Sequence, residues 1–239
     1  MRVALFPTCV VDQAAPQIGR AMVTVLRRAG CELLFDPRQT CCGQPAFNSG
    51  FRAEARRVAA GLLQLFDDAD YVVAPSGSCT TMCRVFYPEL FAEDPALLPR
   101  VAALRGRLFE FSEFLLEVLQ QDDHGSRFVG RVAYHDACHA LRELRIHDGP
   151  RRLLRRVKDL ELVEMDAAQA CCGFGGTFSV KFGELSGAMA RDKVGSIQRA
   201  GVEAVVSSDA SCLLQLAGAL SRAGLTVRTL HLAEVLAGV

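Results

Sequence analysis

The sequence lacks an excess of charge of either sign. Its 239 residues carry 27 lysines and arginines against 27 aspartates and glutamates, so the formal net charge at pH 7 is zero. A basic field draws proteins to nucleic acids and to anionic membrane surfaces, and this composition supplies none. We therefore expect no nucleic-acid partner.

Long hydrophobic runs are also missing, although half of the residues are hydrophobic. No segment approaches the roughly 18 consecutive apolar residues that a membrane-spanning helix needs. The apolar start, MRVALFPTCVVDQAAP, is interrupted by Pro7, Asp12 and Pro16, which favours a first buried strand over a signal peptide. We expect a soluble, cytoplasmic protein without a transmembrane segment.

Cysteine, in contrast, is abundant, with ten residues. Because the reducing cytoplasm disfavours structural disulfides, clustered cysteines there point to metal binding or redox chemistry. Cys31 stands alone at the start of the predicted strand CELLF, and we interpret it as a small buried hydrophobic residue.

Eight of the other nine cysteines form two copies of one spacing. A single cysteine is followed after 31 or 32 residues by Cys-Cys-Gly, and after a further 36 or 39 residues by a last cysteine. The copies are Cys9, Cys41, Cys42 and Cys79, and Cys138, Cys171, Cys172 and Cys212. This spacing, with similar sequence around it, indicates an internal duplication.

Strands and helices alternate in each copy. In the first half the patterns predict strands over 3–7, 31–35 and 71–75, helices over 14–28 and 51–66, and a helix that opens near Thr80. The alternation predicts an α/β fold of two tandem, repeated, small parallel-sheet lobes packed together. The polar segment 120–127 separates predicted modules at 1–122 and 127–239.

Ligands of open parallel sheets lie at the carboxyl ends of the strands, where each repeated cysteine is predicted to stand. Four converging thiolates suit zinc or an iron–sulfur cluster. Structural zinc usually draws its thiols from close pairs, so this spacing favours one cluster per half, with zinc left open. Glycines would let the backbone approach a cluster closely, and the candidates are Gly43, Gly173, Gly175 and Gly176.

Polar residues near Cys138 are further candidates. His135 and His139 are predicted to orient the turn and to donate to cluster sulfides or backbone, with acid–base or ligand roles as the alternative. Arg142 and Arg145 fit a solvated helix face better than a site for a substrate carboxylate. The basic run at 151–158 predicts an amphipathic surface helix.

The motifs resemble known families. The Cys…Cys-Cys-Gly…Cys modules resemble the cysteine-rich domain of the heterodisulfide reductase type. The second half, with YHDACHALREL, CCGFGGTFSVKF, AMARDK and SDASCLLQ, is similar to the lactate-utilisation protein A family, whose relatives include the iron–sulfur subunit of glycolate oxidase. The similarity extends over nearly the whole chain. It implies a duplicated α/β cysteine-rich domain that transfers electrons in the oxidation of L-lactate to pyruvate, alongside other subunits and an electron acceptor.

The resemblance also implies the metal ligands, which are the two sets of four cysteines, and four ligands per half favour one ordinary [4Fe–4S] cluster in each half. In heterodisulfide reductase the last element is Cys-x-x-Cys, and five thiols hold noncubane clusters. Here Cys83 follows Cys79 one residue too late, and Gln215 stands where the second copy would have a cysteine. Cys83 could still join from the next helical turn.

No flavin or nicotinamide fingerprint is visible, so the chain is predicted to relay electrons rather than to remove hydride from the substrate. Two alternatives stay open at this point. One is a thiol–disulfide enzyme of the heterodisulfide reductase type, and the other is a zinc-stabilised scaffold without redox activity.

Overall fold

The structure is a computed structural model that describes residues 1–238. The first lobe is built around four strands, β1 to β4, and the second around β5 to β8. The strands are β1 (Arg2–Leu5), β2 (Glu32–Leu34), β3 (Tyr71–Ala74), β4 (Leu108–Glu110), β5 (Arg127–Tyr134), β6 (Lys158–Val163), β7 (Ala204–Ser207) and β8 (Arg228–His231).

Helices connect these strands. Those of the first lobe are α1 (Cys9–Ala14), α2 (Pro16–Arg28), α3 (Gln44–Asn48), α4 (Arg52–Leu62), α5 (Gly77–Thr81), α6 (Tyr87–Leu90), α7 (Leu98–Arg107) and α8 (Phe111–Glu113), with π-helical turns at Met82–Phe86 and Phe114–Val118. Those of the second lobe are α9 (Cys138–Arg142), α10 (Asp148–Arg155), α11 (Thr177–Lys181), α12 (Gly183–Ala200), α13 (Ala210–Arg222) and α14 (Leu232–Ala237).

Both sheets are parallel and have the same topology. Their strand orders are β2-β1-β3-β4 and β6-β5-β7-β8. In the first sheet Val3 lies opposite Leu33 on one side and Tyr71 on the other. In the second sheet the register of β5 against β6 shifts between Arg127 and Gly130. The predicted fold class, two tandem α/β lobes with parallel sheets, is confirmed.

The first predicted helix, 14–28, is divided in the structure. Pro16 occupies the first position of α2, where its fixed φ suits a helix and no hydrogen bond from its backbone nitrogen is needed. Ala15 has a non-helical backbone and separates α1 from α2. The side of α2 that carries Ile18, Met22 and Val25 is buried. The amphipathic pattern therefore located the helix, while proline set its start.

A common core joins the lobes. Buried side chains of α2, such as Met22 and Leu26, belong to one hydrophobic cluster with Leu153 of α10 and Leu236 of α14. Arg28 Nη1 adds a hydrogen bond of 2.8 Å to the carbonyl oxygen of His124. The two lobes thus share apolar surface that neither could bury alone.

The lobes also meet at equivalent positions. Ser76 and Asp209 each stand three residues before the last cysteine of their repeat, and they pair in an antiparallel bridge. Asp209 Oδ2 accepts hydrogen bonds from Ser76 Oγ at 3.2 Å and from the amide of Ser78 at 3.0 Å. Contact between equivalent residues indicates an approximate twofold relation between the lobes.

Candidate metal centre

The thiols of the first lobe converge from three loops at the carboxyl ends of its strands. Cys9 opens α1 after β1, Cys41 and Cys42 lie between β2 and α3, and Cys79 lies in α5 after β3. Cys42 Sγ lies 3.4 Å from Cys79 Sγ, and the Gly43 amide donates to Cys41 Sγ at 3.4 Å. Hydrogen bonds with the thiols of Cys42 and Cys9 lower the pKa of Cys41 to about 3. We call these four cysteines site 1.

The second lobe repeats this arrangement as site 2. Cys138 opens α9, Cys171 and Cys172 precede α11, and Cys212 lies near the start of α13. The Gly173 amide donates to Cys171 Sγ at 3.3 Å. Hydrogen bonds with the thiols of Cys138 and Cys172 lower the pKa of Cys171 to about 2. Since the thiolate is the metal-binding form, one cysteine of each pair is prepared for ligation.

The two sites open onto one pocket. A cavity of about 120 Å³ between the lobes is lined by all eight cysteines of sites 1 and 2. Soft, closely spaced thiols are the donor set that zinc and iron–sulfur clusters take. The residues present therefore fit a thiolate-bound metal or cluster, and four thiols are available from each lobe.

The glycine after each cysteine pair fits a left-handed turn against a helix. Gly43 has φ +86° and Gly173 φ +88°. A Cβ at Gly43 would lie 3.0 Å from the carbonyl oxygen of Ala55, and a Cβ at Gly173 only 2.5 Å from that of Ser186. Both glycines thus face the neighbouring helix, whereas the predicted residues Gly175 and Gly176 line the pocket.

The remaining cysteines lie apart from the pocket wall. Cys83 is buried in the π-helical turn beside Tyr87, and burial raises the pKa of its thiol. Tyr87 donates from its hydroxyl to the carbonyl oxygen of Cys42 at 2.9 Å, so this buried group supports the site 1 loop. Cys31 packs in the core that the lobes share. A ligand role for Cys83 stays a prediction.

The two predicted histidines differ in environment. His139 lines the pocket, and its ring meets that of Phe86 edge-on at 6.5 Å. His135 is fully buried, and neither ring nitrogen has a hydrogen-bond partner among residues 1–238. One potential ligand atom each from His135, Cys172 and Cys212 lie within 4.8 Å of one another. Burial lowers the pKa of His135 to about 4, so its ring is neutral.

One buried arginine behind site 2 was missed. Arg151 is 3 % exposed, and its guanidinium donates to both carboxylate oxygens of Asp136 at 2.7 and 2.8 Å. The predicted surface helix over 151–158 is therefore wrong at Arg151, and α10 ends at Arg155. The sequence could have indicated this burial, because Arg151 lies three residues before the apolar Leu154 and both therefore stand on one helix face.

A buried lysine was missed as well. Lys193 of α12 is 2 % exposed and donates from Nζ to the carbonyl oxygens of Ala167 and Ala168. These carbonyls belong to the loop that carries Cys171. By contrast, Arg142 and Arg145 are both exposed as expected, although only Arg142 lies in α9 and Arg145 follows the end of that helix.

No helix within residues 1–238 is long and apolar enough to cross a membrane.

Comparison with known proteins identifies the repeated unit. The family model described as the CCG cysteine-rich domain matches residues 3–84 and again residues 132–217. Among solved structures, a hypothetical protein from Helicobacter pylori is similar with a TM-score of 0.69 at 12% identity. That match covers 98% of this chain and 48% of the other, so the chain spans about half the length of that structure. At this identity the likeness supports the fold alone.

Curated relatives are similar over their full length. Lactate utilization protein A of Geobacillus kaustophilus (strain HTA426) is 44% identical over 236 residues, which cover 99% of this chain and 98% of the relative. The protein of the same name from Bacillus subtilis (strain 168) is 41% identical and covers 99% of both chains. With its cysteine-rich domain present twice, the chain belongs to the lactate utilization protein A family.

Proposed function

We propose that this protein is an iron–sulfur electron-transfer subunit of a system that oxidises L-lactate or a related 2-hydroxy acid. The observation that carries the proposal is the convergence of eight thiols, four from each lobe, on one pocket. The name of its relatives, lactate utilization protein A, supports the substrate class.

Each lobe would hold one [4Fe–4S] cluster through its four pocket cysteines. The ligands would be Cys9, Cys41, Cys42 and Cys79 in site 1, and Cys138, Cys171, Cys172 and Cys212 in site 2. When bound, such a cluster accepts and releases single electrons. The thiols come from separate loops, unlike the close cysteine pairs of structural zinc sites, and this favours clusters over zinc.

The chain's own residues would orient and shield the sites. The amides of Gly43 and Gly173 donate to the first thiol of each pair, which holds the side chain toward the pocket. The Arg151 guanidinium holds Asp136, two residues before Cys138, in a fixed position. Hydride removal from the substrate would fall to a partner subunit or a bound cofactor, because flavins and nicotinamides normally supply that chemistry.

The first test is analytical. Anaerobically purified and reconstituted protein should contain about eight irons and eight acid-labile sulfides per chain, the content of two [4Fe–4S] clusters. Electron paramagnetic resonance after dithionite reduction should give cubane-type signals. Stoichiometric zinc without sulfide after reconstitution would instead leave a zinc-stabilised scaffold.

The second test addresses the physiological role. A host strain that lacks this gene should fail to grow on lactate as sole carbon source while growing normally on pyruvate. The wild-type gene should restore growth, and a variant with Cys42→Ala and Cys172→Ala should not. Normal growth of the deleted strain on lactate would contradict the proposed substrate class.

A further inference from the structure

The surroundings of the two thiol sites differ at equivalent positions. His135 stands three residues before Cys138, and Phe6 stands three residues before Cys9. Each side chain is buried, with 0 % and 1 % exposure. The duplication therefore places an imidazole beside site 2 where site 1 has a phenyl ring.

A second pair shows the same difference. Gly43 faces Ala55 of α4, and the equivalent Gly173 faces Ser186 of α12. Ala55 and Ser186 are therefore equivalent positions, and they align α4 of the first lobe with α12 of the second. Seven residues further along each helix lie Leu62 and Lys193, which are 1 % and 2 % exposed. A buried lysine in the second lobe thus stands where the first lobe has a buried leucine.

The imidazole is placed to interact with sulfur. Its ring lies within 4.8 Å of Cys172 and Cys212, measured between potential ligand atoms, and neither nitrogen has a partner within residues 1–238. A buried N–H without an acceptor is destabilising, because it has lost its hydrogen bond to water, so an acceptor is expected at this position. Sulfur of a bound cluster would supply that acceptor.

The charges around site 2 favour added electrons. Burial lowers the pKa of Lys193, and the nearby thiols of Cys171, Cys172 and Cys212 oppose this because negative charge on them favours a protonated lysine. The carboxylate of Asp136, two residues before Cys138, is compensated by its two hydrogen bonds from Arg151. Asp209, which stands where the first lobe has Ser76, adds a negative charge near Cys138 and Cys212 that acts in the opposite direction. Its carboxylate is partly compensated by the hydrogen bonds it accepts from Ser76, Ser78 and Ser211.

We propose that site 2 holds its cluster at a higher reduction potential than site 1, so that electrons pass from the first lobe to the second. This inference rests on the proposed function. One electron would pass from a cluster held by the site 1 thiols, which would be oxidised, to a cluster held by the site 2 thiols, which would be reduced. Hydrogen bonds to sulfur and nearby positive charge both stabilise the more negative, reduced state.

The test uses chains that keep one site each. Cys42→Ala leaves site 2 intact, and Cys172→Ala leaves site 1 intact. After anaerobic reconstitution, each variant is titrated against potential with its spectrum as the readout. At any common potential the ratio of reduced to oxidised cluster should be at least about tenfold higher in the site 2 chain, a difference of about 59 mV for one electron.

Matched substitutions then identify the cause. In the Cys42→Ala chain, which keeps site 2, His135→Phe and Lys193→Leu introduce the residue types that the first lobe has at Phe6 and Leu62. Each substitution should lower the fraction of reduced cluster measured at the same potential. In the Cys172→Ala chain, which keeps site 1, Tyr71→Phe changes a residue remote from the pocket and should leave the titration unchanged. These variants need only the titration, not activity in the complex.

The outcomes separate this inference from the proposed function. If neither single-site chain binds iron and sulfide, the proposed function itself fails. If both bind clusters and titrate together, or site 1 titrates at the higher potential, the inference is overturned while the proposed function stands. An unchanged titration after both His135→Phe and Lys193→Leu would also overturn it, because the assigned cause would be absent.

Discussion

At the scale of single residues, the position of each thiol distinguishes candidate ligands from buried apolar cysteines. The eight cysteines of sites 1 and 2 share a pocket, while Cys31 is enclosed by hydrophobic side chains of the shared core. The surroundings of a cysteine, rather than its burial alone, therefore indicate its chemistry, since Cys42 and Cys31 are both buried.

Removing one thiol from a pair should remove one cluster. Cys171→Ala should lower the iron content of reconstituted protein by about four atoms per chain, because a four-iron cluster needs its four thiolates. Iron and sulfide analysis measures the loss. Cys31→Ala serves as the control and should retain full iron; loss of iron there would show that the ligand set is wrong.

Alanine at the second glycine turn should destabilise the fold. Gly173→Ala combines a left-handed backbone with a Cβ 2.5 Å from the carbonyl oxygen of Ser186, and we expect a loss of about 2 kcal/mol in the free energy of unfolding. Urea denaturation of the metal-free protein measures it. Gly218→Ala in α13, where no atom lies within 4 Å of the added Cβ, should not destabilise. Equal stability of both variants would contradict the strain argument.

The cysteines of the site could be predicted from the sequence, but their charged neighbours could not. The thiols repeat at fixed spacing and follow predicted strands, so the sheet topology alone brings them together. Burial of Arg151 and Lys193 depends on partners 15 residues away at Asp136 and 26 residues away at Ala167. A single-sequence pattern assigns charged residues to the surface by default.

At the scale of elements, the last strand of each lobe ends in a capping box. Glu110 accepts from the amide of Glu113 and caps α8, and His231 accepts from that of Ala233 and caps α14. His231 also bonds through Nε2 to the carbonyl oxygen of Pro75 at 3.1 Å, across the lobe boundary. The two lobes thus end their last strands with the same kind of helix cap, built from different residues.

The buried cap Glu110 should make stability depend on pH. Burial raises its pKa from 4.5 to about 7, so the folded protein keeps a proton that the unfolded chain loses above pH 4.5. Stability should therefore fall as pH rises from about 4.5 to 7, by about 3 kcal/mol in total at 1.36 kcal/mol per pKa unit.

Glu110→Gln should remove this pH dependence. Between pH 5 and pH 8 the free energy of unfolding of the wild type should fall because Glu110 loses its proton, while glutamine does not titrate. The variant should therefore be more stable relative to the wild type at pH 8 than at pH 5. Urea denaturation of metal-free protein at both values measures it. Glu184→Gln, at an exposed residue of α12, is the control and should follow the wild type. A difference that is constant with pH would show that Glu110 is ionised in the folded state.

Helix α10 should depend on its buried arginine. Arg151→Met leaves the Asp136 carboxylate buried without its partner, and we expect a loss of about 3–5 kcal/mol in the free energy of unfolding. Arg155→Met, at an exposed position of the same helix, should change stability little. Chemical denaturation of both variants compares them, and equal losses would argue against the ion pair as the cause.

At the scale of the whole molecule, neither lobe is complete on its own. The core that the lobes share includes side chains of α2 in the first lobe and of α10 and α14 in the second. The fold class and the strand order within a repeat follow from alternation and duplication. The contact between the lobes cannot be predicted from alternation and duplication, because it depends on which helix faces remain apolar after the helices have covered each sheet.

Separated modules should therefore fail to fold. Chains of residues 1–122 and 127–239 expressed alone should lack a cooperative unfolding transition, since each would expose apolar surface of the shared core to water. Circular dichroism during thermal unfolding measures this, with the full chain as the control. A cooperative transition in either half would show that the lobes are independent domains.

The bridge between Ser76 and Asp209 has an evolutionary consequence. Next to it, Gly77 packs against Ala140, and at the equivalent place Ala210 clusters with Val11. A surface that pairs with its own copy is the kind of interface that a homodimer uses. A single-lobe ancestor could therefore have assembled as a symmetric pair through this surface. Fusion of two copies into one gene would then free each half to acquire its own substitutions, which an identical pair of subunits cannot do.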